Sequence, residues 1–239
     1  MKDIHLFRPV FRIEECLTEI RECLERGWTG LGYKTLEIEN EWRNYTGFQH
    51  AHFLNSSTSG LFLALELLRD QHSWKSTAEI ITTPLTFIST NHAILHAGLT
   101  PVFADIDHSL NLSPVSIKER ISSNTKAVIF VGIGGNPDNY EEVLSICRDN
   151  GLLLILDAAH MAGSFIGAKH LGHDSDVAVF SFQSVKNMPT ADSGMICFKD
   201  SNYDNEARQR SWLGIDKDTY SRTNSHNRYK WEYAVDYVS

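Results

Sequence analysis

A run of five aliphatic residues, 152–156, constrains the fold of this chain more than any other feature. An unbroken run of that length, bounded by Gly151 and Asp157, is typical of a strand that is buried on both faces of a sheet. Similar short apolar runs alternate along the chain with segments of helical periodicity. This alternation predicts an α/β protein whose mostly parallel, mixed sheet carries helices on both faces.

The individual elements follow from the same patterns. Strands are predicted over residues 79–82, 101–104, 126–131, 152–156, 177–182 and 194–198. Helices are predicted over residues 12–26, 34–46, 61–68, 87–96 and 114–121, and another starts after Asn139, which forms a capping-box-like pattern with Glu142. The apolar stripe of the first helix suggests a buried face that includes the thiol of Cys16. Residues 199–230 are polar and predict a flexible loop or an arm.

Lys186 follows the apolar strand 177–182 on a short polar connection. A lysine at the carboxyl end of a core strand can be a reagent, because partial burial lowers the pKa of its ammonium group and a neutral amine attacks carbonyl carbon. When this stretch is taken alone, a solvated surface lysine explains it better.

A cluster of small hydroxyl residues, 55–60, leads into the apolar helix 61–68. Free N–H groups and the positive end of the helix dipole make such a helix start a phosphate site, with the hydroxyls of Ser57 and Thr58 as further donors. Ordinary capping of the helix is the alternative reading.

The remaining polar groups fall at the carboxyl ends of other predicted strands, where ligands of open α/β sheets bind. Together they supply what pyridoxal phosphate (PLP) requires. The helix start suits the phosphate, and Phe87 offers a face for the ring. Asp157 provides a carboxylate for the pyridine nitrogen, and Lys186 provides an amine for the aldehyde.

At this point the sequence resembles the DegT/StrS family of PLP-dependent aminotransferases, most of which aminate nucleotide-linked keto-sugars. The likeness runs from about residue 8 to the end. Four segments carry it: residues 56–61, residues 82–90 with 98–102, residues 156–160 and residues 179–187. Two positions depart from the family pattern, since Ser57 stands where many members have glycine and Gln183 where many have histidine.

The resemblance implies a role for each matching residue. Lys186 would bond the cofactor covalently and then move protons, and Asp157 would pair with the pyridinium nitrogen. His160 would lie beside the ring or its phenolic oxygen, and Phe87 would cover the ring. The phosphate would be held by hydroxyl and backbone groups of four residues: Ser57, Thr58, Ser59 and Ser181. Glutamate is the usual amino donor that the resemblance implies.

The resemblance also implies how the chain is organised. Residues 1–239 would form the PLP-binding large domain of fold type I, with an N-terminal helical segment. The family continues into a small C-terminal domain that helps to complete a neighbouring subunit's site, and this sequence ends at the brink of that part. We therefore expect either a homodimer or a complementing C-terminal polypeptide.

Composition excludes several other classes of protein. A net charge of −8 gives no general attraction to nucleic acid or to anionic membranes. Neither a spanning apolar run nor a signal peptide is evident, so the cytoplasm is the expected location. The four cysteines are widely spaced, which favours free thiols, and the histidine pairs join no recognised ligand pattern, so no metal site is predicted.

Two alternative functions stay open. One is a catalytically incomplete PLP-binding or interaction module that needs a partner chain. The other is a PLP-dependent sugar dehydratase of the same fold. Lys186 argues against the dehydratase, because the family's dehydrating members carry histidine at that position.

Overall fold

The computed structural model describes residues 8–214. Residues 229–239 are rich in aromatic residues, a composition typical of a strand, and they lie outside the described part of the chain. No helix within residues 8–214 combines the length and apolarity needed to cross a bilayer.

Helices and strands alternate through most of this part of the chain, as the sequence predicts. The helices are α1 (Ile13–Glu25), α2 (Tyr33–Thr46), α3 (Ser57–Gln71), α4 (Ile88–His96), α5 (Pro114–Arg120), α6 (Tyr140–Asp149) and α7 (Ser201–Arg210). The strands are β1 (His50–Leu54), β2 (Glu79–Thr82), β3 (Thr100–Phe103), β4 (Thr125–Val131), β5 (Leu153–Asp157), β6 (Phe165–Ile166), β7 (Lys169–His170), β8 (Val177–Ser181) and β9 (Gly194–Phe198).

Seven of these strands form one sheet in the order β1-β9-β8-β5-β4-β2-β3. The pairs from β3 to β8 are parallel, whereas β9 is antiparallel to both of its neighbours. Strand β1 consequently runs in the same direction as β8. All strands of this sheet except β9 therefore deliver their carboxyl ends to one edge, and the predicted fold class is confirmed.

Side chains of the central strands alternate between two cores, one on each face of the sheet. On β4, Val128 and Phe130 join the core that also contains residues of α2, α5 and α6. The intervening Ala127 and Ile129 join the core that contains residues of α3, α4 and α7. Covering both faces with helices explains why these strands contain almost no polar residues.

Strand β1 and helix α7 differ from the sequence expectation. The sequence predicts no element over His50–Leu54, because two histidines interrupt its apolar pattern. The expected loop over residues 199–230 is wrong for Ser201–Arg210, which is helical and is capped by the Asp200 side chain. Arg208 of α7 anchors this polar helix by donating to the backbone carbonyl of Ala51 on β1 (2.7 Å).

The predicted capping box at Asn139 is also wrong. Asn139 has a left-handed φ of 68° and its side chain does not cap α6. Instead its Nδ2 group donates to Asp107 Oδ2 (2.8 Å) and to the carbonyl of Leu112 (3.1 Å). The side chain therefore joins two loops at the carboxyl edge of the sheet, whereas the backbone carbonyl of Asn139 accepts the N–H of Val143 (2.9 Å) and α6 begins after Asn139, as predicted.

Helix α1 forms as predicted, but the expected burial of its apolar stripe is wrong. No α1 residue is buried, and Cys16 is exposed. Cys147 and Cys197 are buried, and all four cysteines of the described chain are free thiols.

Candidate active site

The carboxyl edge of the sheet brings the predicted site residues together. Asp157 is the last residue of β5 and Ser181 the last residue of β8, and Ser181 pairs with Gly194 at the start of β9. The register of β5 against β8 places Asp157 opposite Val179, two residues before Ser181. Carboxylate and hydroxyl therefore lie on adjacent strands of the same edge.

Asp157 is 4% exposed and its carboxylate is held by two donors. The Thr90 hydroxyl donates to Oδ2 (2.6 Å) and the Ala159 N–H donates to Oδ1 (3.2 Å). Since the single proton of the Thr90 hydroxyl goes to Asp157, the Thr86 hydroxyl must be the donor in its contact with Thr90 (2.7 Å). Burial raises the pKa of Asp157, while these hydrogen bonds and the nearby His160 and Lys186 side chains oppose that rise.

Lys186 lies in the turn that follows β8, and its side chain is partly buried. Burial lowers the pKa of its ammonium group, although the Asp157 carboxylate acts in the opposite direction. Lys186 follows β8, which pairs in parallel with the strand that ends at Asp157, so both residues leave the same edge of the sheet. A lysine with a lowered pKa has a larger neutral fraction, which is the form that bonds a carbonyl group or accepts a proton.

Two amide side chains fix the turn that carries Lys186. Gln183 Oε1 accepts the N–H of Val185 (2.9 Å), and the Gln183 carbonyl accepts the N–H of Lys186 (2.8 Å). Asn187 donates from Nδ2 to the carbonyl of Ala162, in the loop that follows Asp157. Gln183, which stands where many family members have histidine, thus closes the turn with its side chain.

His160 occupies the same loop and is exposed. Its Nδ1 atom accepts a hydrogen bond from the backbone N–H of Gly134 (3.2 Å). Surrounding protein and the charge of Lys186 lower the pKa of the imidazole, while Asp157 acts to raise it. The imidazole is therefore disposed to be neutral.

Phe87 precedes the first residue of α4 and is 75% exposed. Its carbonyl accepts the N–H of Thr90, whose hydroxyl reaches Asp157. The aromatic ring therefore belongs to the same turn of chain that contacts the buried carboxylate, with its surface open to a ligand.

The start of α3 lies directly against the β8–β9 corner. A Cβ atom on Gly194 would come within 2.6 Å of the Ser57 nitrogen, so only glycine permits this approach. Ser57 and Thr58 are the first two residues of the helix, and their N–H groups have no intrahelical acceptor. Ser59 differs, because its N–H and hydroxyl both bond to the Ser56 side chain (3.1 and 3.0 Å).

This arrangement fits PLP by its chemistry. Hydroxyls and free N–H groups at a helix start suit a phosphate, and a fully buried carboxylate suits a pyridinium nitrogen. An exposed aromatic ring and a partly buried amine complete the set. All the predicted site residues reach this one edge of the sheet, and their individual roles remain predictions.

The sequence reasoning missed Thr90 and Gly194 as contributors to the site. Thr90 contacts a carboxylate 67 residues away, which no local pattern reveals. Gly194 begins an apolar strand, where a small residue gives no signal of its own.

Comparison with known proteins identifies relatives for this arrangement. Residues 12–233 match the DegT/DnrJ/EryC1/StrS aminotransferase family. The chain is 36% identical to the spore coat polysaccharide biosynthesis protein SpsC of Bacillus subtilis, over 95% of this chain and 57% of that protein.

Solved structures agree with the sequence match. The aminotransferase TlmJ of Streptoalloteichus hindustanus is 29% identical, with a TM-score of 0.86 over 98% of this chain and 60% of its own. Helicobacter pylori PseC, an aminotransferase involved in the biosynthesis of pseudoaminic acid, is 28% identical, with a TM-score of 0.86 over 97% of this chain and 59% of its own. The chain thus spans somewhat more than half the length of these relatives.

Proposed function

Because the chain belongs to the DegT/DnrJ/EryC1/StrS aminotransferase family, we propose that it transfers an amino group from an amino acid to a nucleotide-linked keto-sugar. Membership confirms the predicted family, and with it PLP as the cofactor. Glutamate is the expected amino donor. The single observation that carries the proposal is the convergence of Lys186, the buried carboxylate of Asp157 and the start of α3 at one sheet edge.

Each residue has a defined task in this proposal. PLP supplies an aldehyde and a ring that withdraws electrons from a bound amine. Asp157 would face the ring nitrogen and keep its proton in place, and Thr90 stabilises the charged form of Asp157 by donating to Oδ2. Lys186 would hold the cofactor through Nζ and would carry protons on that same nitrogen. Phe87 would cover one face of the ring.

The phosphate would be held at the opposite end of the site. Ser57 and Thr58 offer hydroxyls and N–H groups without an intrahelical acceptor at the positive end of α3. Ser181 offers a hydroxyl from the end of β8. Ser59 contributes mainly by holding the helix start in shape through Ser56.

The length of the relatives bears on how the site is completed. This chain spans 57% of SpsC and about 60% of the compared structures. We propose that residues 1–239 form the cofactor-binding large domain, and that full activity requires a homodimer or a complementing C-terminal polypeptide. A cytoplasmic location stays a prediction from the sequence.

The experiment is to add glutamate to the PLP-loaded protein and to follow the absorption spectrum of the cofactor. We expect conversion to the pyridoxamine form, with loss of conversion in Lys186→Ala and unchanged conversion in Lys199→Ala, a surface lysine beyond β9. PLP binding without conversion by any amino acid would instead support the incomplete binding module. No PLP binding at all would contradict the proposal.

A further inference from the structure

The glycine-rich turn 132–135 is not used by the proposed function, yet it lies against the His160 loop at three points. The Gly134 N–H donates to His160 Nδ1 (3.2 Å). A Cβ atom on Gly132 would lie 2.0 Å from Met161 Sδ, and one on Gly135 would lie 3.0 Å from the carbonyl oxygen of His160. Gly134 therefore bonds His160 directly, and the absence of a side chain at Gly132 and Gly135 lets the turn approach residues 160–161 closely.

Hydrogen bonds from two other loops also hold the turn in place. Ser164 donates to the carbonyl of Gly135 (3.2 Å), and the buried Asn111 donates to the carbonyl of Asn136 (3.1 Å). Gly134 and Gly135 have φ values of 60° and 81°, a conformation that favours glycine. The direction of the Gly134 N–H is consequently set by the whole turn rather than by one bond.

A backbone N–H can donate only to a ring nitrogen that carries no proton. The bond to Nδ1 therefore requires a neutral imidazole whose proton is on Nε2. No hydrogen bond of His160 Nε2 to another group is found within residues 8–214, so this N–H remains available to a ligand.

We propose that the turn 132–135 is a positioning element that holds His160 as the neutral Nε2–H tautomer, and so makes it a hydrogen-bond donor toward the cofactor. The direction of donation toward PLP rests on the proposed function, whereas the tautomer itself does not. His160 would then donate a hydrogen bond to an acceptor on the cofactor and would not take a proton at Nδ1.

Nitrogen NMR of protein labelled with ¹⁵N-histidine tests this without any activity measurement. His160→Gln identifies the His160 signals among the eleven histidines by their loss. Near neutral pH, without cofactor, we expect Nδ1 at the shift of an unprotonated ring nitrogen and Nε2 at that of a protonated one. A protonated Nδ1 in the wild-type protein would overturn the proposal.

Gly132→Ala tests the role of the turn. Gly132 has a negative φ of −84°, so the new methyl group acts through Met161 and not through backbone strain. We expect loss of the single-tautomer pattern in Gly132→Ala, its return in Gly132→Ala/Met161→Ala, and no change in Gly30→Ala, where a Cβ meets nothing within 4 Å.

An unchanged His160 pattern in folded Gly132→Ala would refute the positioning role. If that variant does not fold, the wild-type spectrum still decides the tautomer. The expected tautomer in a protein that fails to bind PLP would reject the proposed function and the donation toward PLP, and it would leave the tautomer and the positioning role of the turn standing.

Discussion

The hydrogen bond between Thr90 and Asp157 gives the most quantitative test of the site. Thr90 is fully buried, and its hydroxyl donates to Asp157 Oδ2 at 2.6 Å. A hydrogen bond to a charged group contributes about 1.5–3 kcal/mol, against about 0.5–1.5 kcal/mol for a neutral pair. Thr90→Val removes the donor with little change in shape.

A double-mutant cycle with Thr90→Val and Asp157→Asn isolates this contribution. The amide oxygen that Asp157→Asn introduces would still accept a neutral hydrogen bond, so the coupling free energy equals the difference between the charged and neutral bonds. We expect about 1–2 kcal/mol at neutral pH, measured by urea unfolding of the cofactor-free protein. Thr100→Val serves as the control, because the Thr100 hydroxyl donates to the backbone carbonyl of Ser76 (3.3 Å), far from the site.

The coupling should depend on pH. Only the charged form of Asp157 benefits from the stronger bond, so the coupling should shrink as the pH falls and the carboxyl group is protonated. If the unfolding free-energy changes of the two single variants add up to that of the double variant within about 0.5 kcal/mol at neutral pH, the inferred geometry is refuted, since such additivity is typical of sites that do not interact.

Three further predictions concern the same part of the chain. Because burial raises the folded-state pKa of Asp157 above its unfolded value, the contribution of Asp157 to stability should fall as the pH rises from the unfolded-state pKa through the folded-state pKa. The stability gain of Asp157→Asn should therefore grow with pH in unfolding titrations, and a gain that grows toward acid would contradict this sign. Gly194→Ala should displace Ser57 at the start of α3, cost about 1–3 kcal/mol and weaken PLP binding in equilibrium titrations; unchanged affinity would argue against a phosphate at this helix. Arg208→Met should cost about 1.5–3 kcal/mol, because it removes a charged partner (3.0 Å) from Glu39, which is 2% exposed and keeps the Phe53 N–H (2.8 Å) and His52 Nδ1 (3.2 Å) as partners; a loss below about 0.5 kcal/mol in urea unfolding would show that this ion pair does not stabilise the fold.

The sheet could be predicted from sequence because its central strands are apolar on both faces. The aliphatic run before Asp157 and the strand before Lys186 need no distant partner to be recognised. Their parallel arrangement then places the polar residues that follow them at one edge. The core of the candidate site was predictable for this reason.

Other features depend on contacts between distant segments. Strand β1 carries His52, whose Nδ1 atom lies 3.2 Å from Glu39 Oε1, so a buried polar pair replaces the apolar pattern. Asparagine is a residue type that often caps a helix through its side chain. The Asn139 side chain instead bonds Asp107, and the backbone of Asn139 is left-handed. Thr90 acquires its role only when α4 is placed beside β5. A local sequence pattern cannot predict these contacts, because each joins residues that are far apart in the sequence.

The position of the covalently bound cofactor tests the central claim most directly. PLP-loaded protein would be reduced with borohydride, digested and mapped by mass spectrometry. The arrangement of the sheet edge predicts a single labelled peptide that contains Lys186, and no label in Lys186→Ala. Label distributed over surface lysines, or located at another single lysine, would contradict it.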